Sequence, residues 1–203
     1  FDAWTTAARM ERARSLFRCW HYGKAAALLE ACLDDKDCAK YHLEAHELLG
    51  EIRLNKLRDD PAKARGHFEA MIRGRHRVAE ATYLTGRSYM KEERYEDALR
   101  IFEEYLRRWP SGERAERCRY YKGWLRFDHG RWEDALAPFD AYLARHEGGS
   151  MFTYVLWFKG WSLYKLQRWD EALKVFDRLS RYRKDIVGGK GRYWAGIVLQ
   201  RLG

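Results

Sequence analysis

Histidines, cysteines and a tight run of arginines are where this chain's residue types would support chemistry. His42 and His46 fall one helical turn apart, a spacing that aims two imidazoles at one metal ion. No third ligand accompanies them, and zinc sites ordinarily use three or four protein ligands, so we expect no metal there and a surface or satisfied core role for both rings. Cys32 and Cys38 flank the polar turn LDDKD. A bridge across that turn is sterically feasible, and a Cys32 to Cys38 disulfide stands beside the alternative of separate thiols in a reducing compartment. Cys19 and Cys118 read as small buried hydrophobes. The run RGRHR, Arg73 to Arg77, is the densest basic patch; its ordinary reading is a solvated loop between helices, with phosphate contact as the other. No serine, cysteine or acid stands in a nucleophile context. Glu103 and Glu104 lie on a helix exterior, poorly placed for acid–base work, and Gly148-Gly149 and Gly188-Gly189 follow helix ends, where glycine is a stop signal. We therefore expect no catalytic residue, metal or cofactor within these residues, and look for function in surfaces.

The elements that present those surfaces repeat. Gly86, Gly123 and Gly160 lie 37 residues apart, as do Ala98, Ala135 and Ala172, then Phe102, Phe139 and Phe176, then Tyr95, Trp132 and Trp169. A period in this range marks a stack of two-helix units. In each regular unit a helix with a central glycine turns into a second helix opening YED, WED or WDE, whose carboxylates suit the positive end of the helix dipole. Glycine on one helix and alanine on the other let the axes approach, while the phenylalanines fill the space between units.

The predicted units span about residues 5–38, 39–75, 79–112, 116–149 and 153–186, with a last helix over 190–202, together one repeat domain over 1–203. The first is degenerate: Ala13 precedes Gly50 by 37 residues, and Tyr22, Ala25, Leu29 and Cys32 keep the spacing of Tyr95, Ala98, Phe102 and Tyr105. The second has a long first helix, AKYHLEAHELLGEIRLNKL, and a second helix that Asp60 can cap with Pro61 in its first turn. Gly50 to Ala64 is 14 residues against 12 in later units, read as a longer surface turn. WPSGE, HEGGS and IVGGKG separate the later units. The last helix has no visible second helix in the sequence, so either more protein follows or it acts as a cap.

Composition sets bounds on partners. The net charge of +9 favours anionic partners, yet 34% of residues are charged with both signs interspersed, which reads mostly as solvated helix faces. No apolar run approaches the roughly 20 residues of a membrane span. No signal peptide is visible, and Phe1 is not a natural start, so that silence says little about targeting.

Gly86, Tyr89, Ala98, Phe102 and Pro110 have the spacing of the tetratricopeptide (TPR) repeat, and the chain resembles that family over nearly its whole length. It departs in its step of 37 and in its early aromatic, which falls one place late at Tyr83, Tyr120 and Trp157. That late aromatic, with the PSGERAE linker, is similar to TPR proteins of the bacterial envelope. RYWAGIVLQRLG is similar to the helix before the catalytic domain of soluble lytic transglycosylases. The resemblance implies an all-α fold: a right-handed superhelical stack of about five TPR-like helix pairs plus a final unpaired helix. It further implies that first helices line a concave groove with residues at i, i+4 and i+7: Tyr83, Arg87 and Met90; Tyr120, Trp124 and Phe127; Trp157, Trp161 and Tyr164; and Tyr193, Ile197 and Gln200. The first unit gives Met10, Arg14 and Phe17, and the second Glu47, Glu51 and Leu54, an acidic interruption.

The expected partner-binding set is therefore Tyr83, Arg87, Tyr120, Trp124, Phe127, Trp157, Trp161, Tyr164 and Tyr193, receiving a protein or peptide segment, with Trp124 and Trp161 the most accessible. Arg87, Arg117 and Lys165 would pair with its carboxylates. The opposing reading packs the same rings together as an inner core. A Lys and Asn carboxylate clamp is not evident at these positions. The first function expected is a non-enzymatic interaction scaffold. The second is the non-catalytic superhelical region of a peptidoglycan lytic transglycosylase, with peptidoglycan as ligand. Nucleic acid is not expected, because base-reading needs polar residues where this chain has rings. Periplasm or envelope is favoured by the resemblance, with cytoplasm left open.

Overall fold

The computed structural model describes residues 5–57, 60–182 and 187–203; the end of the fifth expected unit, residues 183–186, and the first four residues lie outside it. The described residues form helices α1 (Thr6–Arg18), α2 (Tyr22–Leu33), α3 (His42–Glu51), α4 (Pro61–Arg73), α5 (Val78–Lys91), α6 (Tyr95–Arg108), α7 (Ala115–Asp128), α8 (Trp132–Arg145), α9 (Phe152–Lys165), α10 (Trp169–Ser180) and α11 (Gly191–Leu202). They contain no strand, and the all-α expectation of helix pairs with a final unpaired helix holds. The chain divides inside α6 into two compact units, residues 1–101 and 102–203.

In the first unit, α1 packs on α2, α2 on α3, α3 on α4 and α4 on α5. Its core gathers Met10, Ala13, Ala25, Leu29, Leu49 and Ile52. Asp60 caps α4 by accepting from the Lys63 N–H, and Pro61 occupies the first turn as expected. The long first helix of this region is not continuous. A 3-10 turn (Lys36–Tyr41) precedes α3, and a π-helical turn (Ile52–Leu57) follows it, burying Ile52 and Leu54. A π turn adds a residue without breaking the helix, so the extra length expected as a surface loop begins inside the helix, where two buried side chains hold it.

In the second unit, α7 packs on α8, α8 on α9, α9 on α10 and α10 on α11, and α7 also meets α9. The periodic small residues have the steric role expected of them: Ala135 and Ala172 are fully buried, and an added Cβ at Gly123 or Gly160 would lie 2.4 Å from Phe139 or 2.6 Å from Phe176. Two tyrosines one period apart tie the linkers down. Tyr105 Oη accepts from the Arg114 N–H at 3.1 Å, and Tyr142 Oη accepts from the Met151 N–H at 3.2 Å while donating to Glu116 at 2.6 Å.

Arginines finish the starts of the second helices α6, α8 and α10. Arg94 donates to Asp97, Arg131 to Asp134 and Arg168 to Glu171, at 2.6 to 2.9 Å. The acids expected at these starts for the helix dipole thus also anchor the residue entering the helix. Just upstream, Glu93, Gly130 and Gln167 hold the left-handed conformation that ends the preceding helix, at φ 58°, 69° and 60°. Trp20 does the same at 65° after α1.

Candidate partner-binding site

The first helices of the second unit present their rings in two sets. Trp157, Trp161 and Tyr164 lie along α9 as expected, each edge-on to the next at 5.9 and 5.5 Å between centroids. Trp194 of α11 meets all three, at 6.1, 4.4 and 5.6 Å, and Trp169 closes on Tyr164 at 5.0 Å. On α7, Phe127 stands 4.7 Å from Phe158 and 5.1 Å from Trp132, while Trp124 is edge-on to Tyr121 at 6.4 Å. Edge-on and tilted pairs set the positive rim of one ring against the negative face of another, which fixes ring orientation beyond simple burial.

Sequence reasoning assigned α11's contribution to Tyr193. That ring is 65% exposed and touches only Trp194 among the rings described. Trp194, one residue later, is the member that joins α9. It belongs to a column of rings outside the expected set: Tyr121, Phe158 and Trp194 each meet the second-helix phenylalanine of the preceding repeat, Phe102 at 5.1 Å, Phe139 at 6.4 Å and Phe176 at 6.3 Å. Their near-37 spacing was the available signal. Tyr120, Phe127, Trp157 and Tyr164 pack against the buried core of this unit, so these four are part core and part surface. Tyr83, in the first unit, is 2% exposed and belongs to the interior, which removes it from an accessible set; Arg87 is half-buried.

The cluster carries positive charge. Lys165 Nζ sits 5.6 Å from the Trp161 ring centroid and Lys190 Nζ 5.5 Å from that of Trp157. Ammonium groups over indole faces are attracted by the ring quadrupole and remain available to a carboxylate. Burial, then its tyrosine neighbours, raises the Tyr120 phenol above its ordinary pKa.

A family model described as tetratricopeptide repeat matches residues 56–113, 83–150 and 120–186. The chain belongs to the tetratricopeptide-repeat family. Among solved structures it is similar to the MamA protein (TM-score 0.72, 16% identity, covering 93% of this chain and 95% of that one). It is also similar to YrrB, a TPR protein with an unusual peptide-binding site (0.68, 16%, 92% and 91%). A further match is MamA from Desulfovibrio magneticus RS-1 (0.62, 15%, 78% and 84%). No curated protein matches in sequence.

Beyond the rings, this TPR chain uses its chemically able residues for internal bonding. His46 and His67 share a hydrogen bond between Nδ1 atoms at 2.9 Å, and His42 Nε2 donates to the carbonyls of Cys32 and Asp35. Burial, then the neighbouring His46, lowers His67 to about 4. No group of three or more possible metal ligands occurs among the described residues. Cys32 and Cys38 are buried free thiols, and burial followed by the hydrogen bond with Cys38 pushes Cys32 up to about 12. Cys19, expected inside, is exposed, because it caps the end of α1. Within the run RGRHR, Arg77 pairs with Glu47, and His76 meets the same carboxylate at 2.9 Å. The acidic interruption expected at Glu47 is thereby matched by Arg77 and His76 of its own unit.

Proposed function

We propose that the chain is a non-enzymatic scaffold whose second unit binds an apolar segment of a partner protein, flanked by carboxylates, across Trp161 and its neighbours. The observation that carries this reading is the half-buried cluster of Trp157, Trp161, Tyr164 and Trp194, with Lys165 and Lys190 over two of its rings. Large rigid rings supply contact area at low entropic cost, and rim cations orient an acidic segment. Trp124 extends the surface along α7. The peptide-binding site of YrrB supports the class of ligand, since the two chains share a fold. The segment bound is protein, and the rings take its aliphatic or aromatic side chains.

A displayed random-peptide library selected against the wild type tests the proposal, the selected peptides being then measured on the wild type, Trp161→Ala and Lys165→Ala. Selected peptides should pair apolar residues with Asp or Glu. Their affinity should fall at least tenfold for Trp161→Ala and several-fold for Lys165→Ala, with thermal midpoints nearly unchanged. Peptides that bind Trp161→Ala and wild type alike would end the proposal.

A further inference from the structure

Arg119 stands at a place that the neighbouring repeats fill without a charge. One period earlier is Thr82, 4% exposed, and one period later Leu156, 1% exposed. Packing in the stack therefore does not call for a guanidinium here, yet Arg119 is half-buried on α7. Its bonding partners are neutral: Nη2 donates to the Pro110 carbonyl, and Nη1 lies 3.3 Å from His146 Nε2. A guanidinium only donates, so the imidazole nitrogen accepts and His146 is in its uncharged form. The other Arg119 donors, Nε among them, have no acceptor among the described residues, and there neither Arg119 nor Arg145 has a carboxylate partner.

Arg145, at the end of α8, brings a second guanidinium close enough to act on the first. Burial, then Arg145, lowers Arg119 below the ordinary arginine value, and burial, then Arg119, lowers His146. These three side chains line a cavity of about 440 Å³ together with Ser111, Glu113 and Glu116, where the linker from α6 enters α7. The two acids are engaged elsewhere. Glu113 is exposed and pairs with Arg114, and Glu116 Oε1 accepts from Tyr142 at 2.6 Å and from Ser150 at 3.1 Å. Two like charges held together at partial burial repel one another, and an anion between them turns that repulsion into attraction.

We propose that this cavity is a phosphate site: Arg119 and Arg145 hold the oxyanion from two helices, and His146 positions the Arg119 guanidinium. Guanidinium forks match phosphate oxygens in pairs. A cavity in the small-molecule range has room beyond the bare ion, so the phosphate arrives free or as the head of a small monoester whose remainder meets Ser111 and Glu116. The site is separate from the α9 and α11 ring cluster, none of whose members lines the cavity.

The test is a nuclear magnetic resonance titration of the intact, nitrogen-15-labelled protein with inorganic phosphate, glycerol 3-phosphate and acetate, in chloride buffer at constant ionic strength. Amide shifts from Ser111 to Arg119 and at His146 should saturate with a phosphate probe and not with acetate. Equal affinities for the two phosphates assign the free ion, and tighter binding of glycerol 3-phosphate assigns the monoester. Arg119→Leu installs the residue type of the following repeat, so its thermal midpoint should equal or exceed that of the wild type while phosphate affinity falls at least tenfold. Arg145→Gln should lose severalfold. Lys174→Gln, which removes one charge from an exposed position of α10, should bind as the wild type does. No saturation with either phosphate probe, an equal response to acetate, or unchanged affinity in Arg119→Leu overturns the proposal. So does an equal loss in Lys174→Gln, which would reduce the effect to the net charge of +9.

Discussion

Between α1 and α3, Arg14 donates two hydrogen bonds of 2.6 Å to Glu44 and also pairs with Glu11. Between α9 and α11, Trp194 packs among Trp157, Trp161 and Tyr164, ring against ring, with Lys165 and Lys190 only over the outer faces. Between first helices the first unit also sets Arg77 against Glu47, whereas the second continues there with rings and keeps ion pairs such as Lys122 to Glu103 and Lys159 to Asp140 for the contact with the preceding second helix. One backbone plan, a glycine-bearing helix against the next, tolerates either chemistry because the axis spacing is set deeper down, by the glycine and its phenylalanine. The difference shows that the scaffold is common property and the filling between first helices is free to vary. Ion pairs consume their own charges, whereas rings leave faces and edges that a visitor can use.

That parallel is most severely tested at its foundation. Phe68→Ala in the first unit and Phe176→Ala in the second should each cost about 3–5 kcal/mol in chemical denaturation, as expected for a fully buried ring. Markedly unequal costs would break the claim of a common plan. The contrast in filling is tested by salt: Glu44→Gln should cost about 1 kcal/mol at low ionic strength and much less in 1 M NaCl, while Trp194→Phe should show no such dependence.

Acid weighs most on the first unit, although burial lowers His146 of the second in the same direction. His67 has its folded pKa lowered from 6.5 to about 4, chiefly by burial, and His46 is lowered as well. The unfolded chain takes up these protons first as pH falls, so stability is full above about pH 6.5 and declines toward pH 4. His67→Phe should flatten the thermal midpoint between those values, and an unaltered profile would show that other groups govern it. The smallest effect is at the turns: Gln167→Gly and Glu93→Gly, at positions of positive φ, should each raise stability by about 0.5 kcal/mol, moving them toward the turn that already holds Gly130.

Much of the scaffold was readable because its steric demands recur at a fixed interval. Gly123 and Gly160 under Phe139 and Phe176, the buried Ala135 and Ala172, and the Asp60 cap with Pro61 all follow from local rules that a sequence displays directly. The π-helical turn at Ile52–Leu57 did not, since a two-residue surplus looks the same whether a loop or a helix absorbs it. Among the proposed site residues, the shared helical face of Trp157, Trp161 and Tyr164 on α9 followed from helical periodicity. Trp194 was missed because alignment on glycine placed Tyr193 in register with Trp157, while the ring that reaches back to the preceding repeat is the adjacent one. Tyr83 was misplaced for a related reason: periodicity tells which face a side chain occupies, and says nothing of how much protein covers that face.

The tyrosine hydroxyls of Tyr105 and Tyr142 grip the linker backbone at Arg114 and Met151, each nine residues downstream. Such a clasp makes the linker a measured part rather than slack. A segment of 37 residues copied in tandem would arrive with its own clasp, its own glycine seat and its own backward-reaching ring. Gene duplication in whole periods thus lengthens the array without any new interface having to be invented, whereas gaining or losing one linker residue would have to be absorbed by the strain of two hydroxyl tethers.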